Sequence, residues 1–151
     1  EAGRHDLDPM LVYALMRQES LFDPRAASPA SAYGLMQLIL PTAKRVAATA
    51  GIKGELTGEQ LFDPAVNIAL GTAYLAKLWR LFDGDPVLVL AGYNAGEKAA
   101  RRWSERLEGL ERDERIEGIS YRETREYVKK VLRNLRNYHR LYPGAAHTRS
   151  H

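Results

Sequence analysis

The sequence predicts an all-α fold, and three observations carry that expectation. No segment sustains the period-two alternation of a half-buried strand or reads as a hairpin, whereas several runs space their apolar residues at helical intervals. Four Asp-Pro pairs (Asp8-Pro9, Asp23-Pro24, Asp63-Pro64, Asp85-Pro86) punctuate the chain, and all but the second precede such runs. There Asp can cap the helix N-terminus and Pro can occupy its first turn, where the missing N–H costs nothing.

The elements follow in order. A first helix is expected from Pro9 to Ser20, with Val12, Leu15 and Met16 on one side. A helix over 41–50 is closed by Gly51, and Thr57 with Gln60 resembles a capping box for a short helix near Leu61. The run 64–82 carries Val66, Leu70, Tyr74, Leu78 and Leu81 as a stripe, and a short, very apolar helix starts at Pro86. Residues 101–115 form the most charged stretch, either a frayed helix or a surface arm. The last helix, 122–142, sets Thr124, Val128, Val131, Leu135, Tyr138 and Tyr142 against a charged face. The tail 143–151 is expected to be disordered.

With 151 residues, 45% of them hydrophobic, the chain has the size of one globular domain, its core over about 7–142. The longest apolar stretches, Leu35 to Leu40 (broken by Gln37) and Val87 to Ala91, are too short for a membrane span. A start at Glu1 suggests a processed product or a piece of something longer, so localisation is not legible from the residues. The absence of cysteine removes thiol nucleophiles and disulfide frameworks, and four scattered histidines suggest no metal site. The net charge of +3 arises from cations interleaved with acids, as on a solvated helical surface.

Glu19, in Arg17-Gln18-Glu19-Ser20, lies seven, four and three residues after Val12, Leu15 and Met16, so its carboxyl projects toward the apolar side. Such a group resists ionisation and can remain partly protonated near neutral pH, which makes Glu19 a candidate general acid. The alternative for a lone Glu is a solvated or capping residue. Two glycine-bearing clusters stand beside it, Tyr33-Gly34-Leu35-Met36-Gln37 and Ala91-Gly92-Tyr93-Asn94-Ala95-Gly96. Gly34 permits a close approach, and Gln37 offers a donor and an acceptor for an acetamido or hydroxyl group. Tyr93 and Asn94 end an apolar helix capped by Gly96. Aromatic faces beside amides suit a sugar.

In identity, order and spacing these motifs resemble the catalytic domain of the soluble lytic transglycosylases, a goose-type-lysozyme-like fold. Further matches are Leu-Phe-Asp-Pro and Asn-Ile-Ala-Leu-Gly-Thr-Ala-Tyr-Leu within 61–75, and Tyr-Arg-Glu-Thr-Arg-Glu-Tyr-Val at 121–128. The resemblance implies cleavage of the β-1,4 bond between N-acetylmuramic acid and N-acetylglucosamine in peptidoglycan, without water, leaving 1,6-anhydro ends. Glu19 matches the family's acid/base. Ser28, Gln37 and Tyr93 match positions that hold the sugar at the cleavage site, Met36 and Asn94 match wall and support positions, and Glu123 matches a groove carboxylate. For Glu123, an N-terminal helix Glu favoured by the macrodipole is an equal reading. The resemblance also implies peptidoglycan glycan strands as partner, a periplasmic or envelope location, a monomer, and no cofactor, metal, nucleic acid or transmembrane segment. Departures are Pro41 standing one step later than usual, Gly92 for a common Ala, and Glu97-Lys98 for a frequent Pro-Gly.

Three rivals remain: a hydrolytic muramidase on the same fold, a catalytically silent peptidoglycan-binding module, and a basic helical nucleic-acid binder. The last would draw on Arg101-Arg102-Trp103 and the cations of 129–136, but lacks base-readout motifs and has its charge offset by neighbouring acids.

Overall fold

A computed structural model describes residues 1–145 of the chain. Its helices are α1 (Pro9–Ser20), α2 (Leu40–Val46), α3 (Pro64–Leu81), α4 (Pro86–Ala95), α5 (Glu97–Arg106), α6 (Arg112–Glu117) and α7 (Arg122–Leu141). Short 3-10 turns lie at Ala2–His5 and Glu59–Phe62. The three expected Asp-Pro starts are all built as caps. Asp8 accepts the Met10 N–H, Asp63 those of Ala65 and Val66, and Asp85 those of Val87 and Leu88. Asp23 instead closes a turn by accepting the Arg25 N–H at 2.9 Å.

α3 runs through the core. Rather than a single stripe, it buries residues around most of its circumference between Asn67 and Leu78, while Val66 and Leu81 are only partly covered. α7 lies against α1 and α4, α5 packs on α4, and α2 on α3. One cluster of buried apolar side chains joins these helices, with Leu15, Leu61, Leu70, Leu75, Leu78, Leu90 and Val131 fully enclosed.

Several local expectations change. α2 ends at Val46, and turns carry the chain on to Gly51. Gln60 accepts the Thr57 N–H at 2.8 Å, so half of the capping box forms. The charged stretch 101–115 is neither frayed nor an arm: its Trp103 and Leu107 are buried and anchor α5. A two-stranded antiparallel pair, β1 (Ala32–Tyr33) and β2 (Leu38–Ile39), sets Ala32 opposite Ile39 and Tyr33 opposite Leu38. Strands of two residues are too short to show a period, which is why no hairpin is legible there. Tyr142, expected in the last helical stripe, caps α7 and is exposed. Residues 143–145 form a turn, and the rest of the expected disordered tail, 146–151, lies outside the described residues.

Asp85 does more than cap α4, because its second oxygen pairs with Arg115 of α6. Asp85→Ala removes two backbone acceptor bonds and strands a mostly covered guanidinium. It is expected to cost about 2 kcal/mol, read from urea denaturation, against near-neutral effects for a substitution at exposed Glu105.

Candidate active site

Glu19 sits in the last turn of α1, beyond the buried Val12, Leu15 and Met16 that draw this side of the helix inward. Its carboxyl is partly buried, and the Tyr127 hydroxyl of α7 donates to Oε1 at 2.7 Å. Loss of water pushes the Glu19 pKa from its ordinary 4.5 up to about 7, the Tyr127 bond pulling weakly the other way. Among the described residues no Lys, Arg or His lies within ion-pair distance of it. A carboxyl poised near 7 can give up a proton and take one back at neutral pH. Burial, with Glu19 nearby, holds the phenols of Tyr93 and Tyr127 well above their usual pKa, so both stay neutral donors.

The opposite wall is the turn between β1 and β2, pinned by one buried side chain. Asn67 of α3 accepts the Met36 N–H at 2.8 Å and donates to the carbonyls of Tyr33 (2.9 Å) and Leu61 (2.8 Å). Gly34 makes this approach possible: its φ is +79°, and a Cβ there would lie 2.3 Å from both Asn67 Nδ2 and the Leu61 carbonyl. Gln37 follows at φ +50°, an uncommon conformation for a side-chain-bearing residue. Its amide nitrogen donates to the carbonyls of Ala26 and Gly34, both at 3.0 Å, which fixes the amide and offsets the strain. The donor expected to read a sugar is therefore used within the protein, and the Oε1 acceptor is what Gln37 has left to offer.

Ser28 borders the turn, its Oγ accepting the Ala32 N–H at 3.2 Å. Tyr93, from the last turn of α4, donates to the Met36 carbonyl at 2.8 Å and packs on Tyr74 with ring centroids 5.3 Å apart. Asn94 accepts from the Thr124 hydroxyl at 2.7 Å, tying α4 to the first turn of α7, where Glu123 is exposed.

Glu19, Ser28, Gln37, Tyr93, Asn94 and Glu123 come together on one open cleft of about 800 Å³. Met36 does not join them. Its side chain, expected as a wall, is fully buried against Gly71 of α3, which has no Cβ to obstruct it, and its main chain serves as the Tyr93 acceptor. A second surface cavity, about 730 Å³ between α6 and α7, is lined by several cations, and there Lys129 holds the carboxyl of Glu117 below the usual value.

Tyr127 and Asn67 are supporting residues that the motifs did not bring forward. The signal was available: Tyr127 stands three residues after Thr124 and four before Val131, on the inward side of α7. Tyr127→Phe removes a bond that favours the carboxylate and fixes its orientation. The expected result is a rate about tenfold lower, with the alkaline limb of the pH profile moved upward; an unmoved limb would separate Tyr127 from Glu19.

Comparison with known proteins places this geometry in a family. The transglycosylase SLT domain model matches residues 1–116. The soluble lytic murein transglycosylase of Escherichia coli strain K12 is 38% identical over 120 residues, covering 79% of this chain and 19% of that protein. The membrane-bound lytic murein transglycosylase C of Sodalis glossinidius is 34% identical over 157 residues, covering 91% of this chain and 44% of that protein. Among solved structures, an inactive glutamate-to-glutamine mutant of lytic transglycosylase Slt from Pseudomonas aeruginosa superposes with a TM-score of 0.87 at 39% identity, over 94% of this chain and 23% of that one. The chain spans about a fifth of the length of the soluble relatives it matches. The all-α, lysozyme-like architecture is shared at this level of likeness. With the domain model covering most of the chain, the protein belongs to the transglycosylase SLT domain family.

Proposed function

We propose that this chain is a peptidoglycan lytic transglycosylase in which Glu19 alone serves as acid and then base. The observation that carries the proposal is a carboxyl whose pKa burial lifts to about 7, held on a neutral phenol and lining an open cleft. Protonated Glu19 gives its proton to the oxygen leaving C1 of N-acetylmuramic acid as that C–O bond breaks, the sugar's acetamido group supporting the cationic centre. The carboxylate then takes the proton of the C6 hydroxyl as O6 bonds to C1, closing the 1,6-anhydro ring and restoring Glu19 without adding water. In this reading Ser28, the Gln37 carbonyl oxygen and Tyr93 hold the sugars, Asn94 supports them, and Glu123 meets the strand or its peptide. Met36 supports the site through its main chain.

The chain, 1–151 with its core over 7–142, acts as one catalytic domain and as a monomer on glycan strands in the bacterial envelope, the periplasm being the compartment that holds them. No helix of the described residues is long and apolar enough to cross a membrane. A relative rendered inactive in a glutamate-to-glutamine mutant supports dependence on one glutamate.

The test is mass spectrometry of soluble muropeptides after incubating purified sacculi with the protein and with Glu19→Gln. Anhydro-muropeptides from the wild type alone are expected. Reducing-end products carrying an added water would make it a hydrolase, and binding without release would make it a silent module.

A further inference from the structure

α4 and α5 meet at a single residue on the wall of the cleft. α4 ends at Ala95 and α5 begins at Glu97, so Gly96 caps both, at φ 92° and ψ 159°, and no side chain caps the α5 N-terminus. A Cβ at Gly96 would meet nothing within 4 Å, so packing does not wedge the corner in place, and a glycine loses more freedom than any other residue when it is held. Further along, buried Ala99, Ala100 and Trp103 anchor α5. Its first residue is tied down by charge instead: Lys77 Nζ of α3 donates to Glu97 Oε1 at 2.7 Å, the Glu97 side chain being 24% exposed. The pair brackets residues of the site. Tyr93 and Asn94 stand three and two residues before Gly96 and line the cleft with Glu97. Lys77 follows Tyr74 by three residues on one side of α3, and Tyr74 packs on Tyr93 with ring centroids 5.3 Å apart. Burial, then the Glu97 carboxylate, pushes the Tyr74 phenol up to about 12 against the opposing Arg45, which sets the Glu97 charge beside that ring. Lys77 itself is outside the cleft lining, so its influence on the site passes through Glu97.

We infer that Lys77 and Glu97 are positioning residues for glycan cleavage: their ion pair fixes the Gly96 corner and thereby the placement of Tyr93 and Asn94 relative to Glu19. This rests on the proposed reading of the cleft, in which Tyr93 holds the sugar and Asn94 supports it. An ion pair this open to solvent adds little to overall stability, so its effect is local, on a corner that packing leaves free. A strand bound along the whole cleft keeps most of its affinity when one corner loosens, whereas the alignment of the scissile bond with the proton donor suffers. The corner therefore acts on kcat rather than on KM. Proline supplies the same restraint covalently: at the first residue of a helix its ring fixes φ and its missing N–H costs nothing, and the extended ψ of Gly96 accommodates it.

The experiment measures kcat and KM on soluble peptidoglycan strands, Tm, and the side-chain amide signal of Asn94 by NMR. Lys77→Met keeps the aliphatic stem and leaves the cleft wall untouched. It is expected to lower kcat about fivefold with KM within about twofold of native, to shift or broaden the Asn94 signal, and to leave Tm nearly unchanged. Glu97→Pro added to Lys77→Met is expected to restore at least half of the native kcat together with the native Asn94 signal, which a lost charge contact to the substrate would not allow. A native kcat in Lys77→Met, a lowered Tm with kcat unchanged, or a lowered kcat that Glu97→Pro fails to restore would overturn the role. A wild type that releases no anhydro product, but whose Asn94 signal moves in Lys77→Met and returns with Glu97→Pro, would uphold the corner and remove the lytic function instead; an unmoved signal there would overturn both.

Discussion

Glu19→Gln is expected to lower glycan cleavage about a thousandfold while leaving the fold intact, because the amide can still accept the Tyr127 hydroxyl but has no proton to give. The same substitution tests the pKa through stability. Folding raises the Glu19 pKa from 4.5 to about 7, so the folded chain binds this proton more tightly than the unfolded chain does. That contribution is fully present below about pH 4.5 and is lost as the pH rises through 7, where an ionised carboxylate is left poorly solvated. The interval corresponds to roughly 3 kcal/mol. Glu19→Gln, neutral at every pH, is therefore expected to gain stability over the wild type between pH 4 and pH 8 by up to roughly that amount. Urea denaturation at the two pH values reads it. A difference that does not change with pH would show that Glu19 keeps its ordinary pKa. Activity should follow the same group, falling above about pH 7 as the proton donor is lost.

Asn67→Ala carries the second large effect, on stability and activity together. The side chain is fully buried and each of its polar atoms is used: one bond is accepted from Met36 and one donated to Tyr33, both in the β1–β2 segment, and another is donated to Leu61 in the 3-10 turn before α3. Truncation leaves the Met36 N–H and two carbonyls without these partners and opens a void under Gly34, an expected cost of about 3–5 kcal/mol. The turn also fixes Gln37 and presents the carbonyl that holds Tyr93, so the surviving folded protein should cleave glycan at a rate at least tenfold lower. Thermal denaturation and turnover measured below the new Tm separate the two effects. Retention of native turnover would mean that the turn keeps its shape without Asn67.

What was readable in the chain was what is decided locally. Asp8, Asp63 and Asp85 cap their helices through backbone N–H groups two and three residues away, so the Asp-Pro pairs announce those starts without any tertiary information. The inward direction of Glu19 follows from its spacing to Val12, Leu15 and Met16 on the same helix. The candidates Gln37, Tyr93 and Asn94 came forward because their motifs are contiguous, Gln37 beside Gly34, Tyr93 and Asn94 before Gly96. The β1–β2 pair was not readable, since two-residue strands carry no period and Asn67, thirty-one residues after Met36, does the holding.

The sequence by itself therefore determined the helices that begin at Asp8, Asp63 and Asp85, the caps at those starts, the long last helix and a carboxyl turned toward an apolar side, because each depends on neighbours a few residues away. The tertiary structure decided how dry that carboxyl is, that Tyr127, 108 residues distant, would hold it, that Met36 would face inward against Gly71, and that the Gln37 amide nitrogen would be used within the protein. Those outcomes depend on desolvation and hydrogen bonding between elements remote in the chain, and such energies arise only when the helices pack.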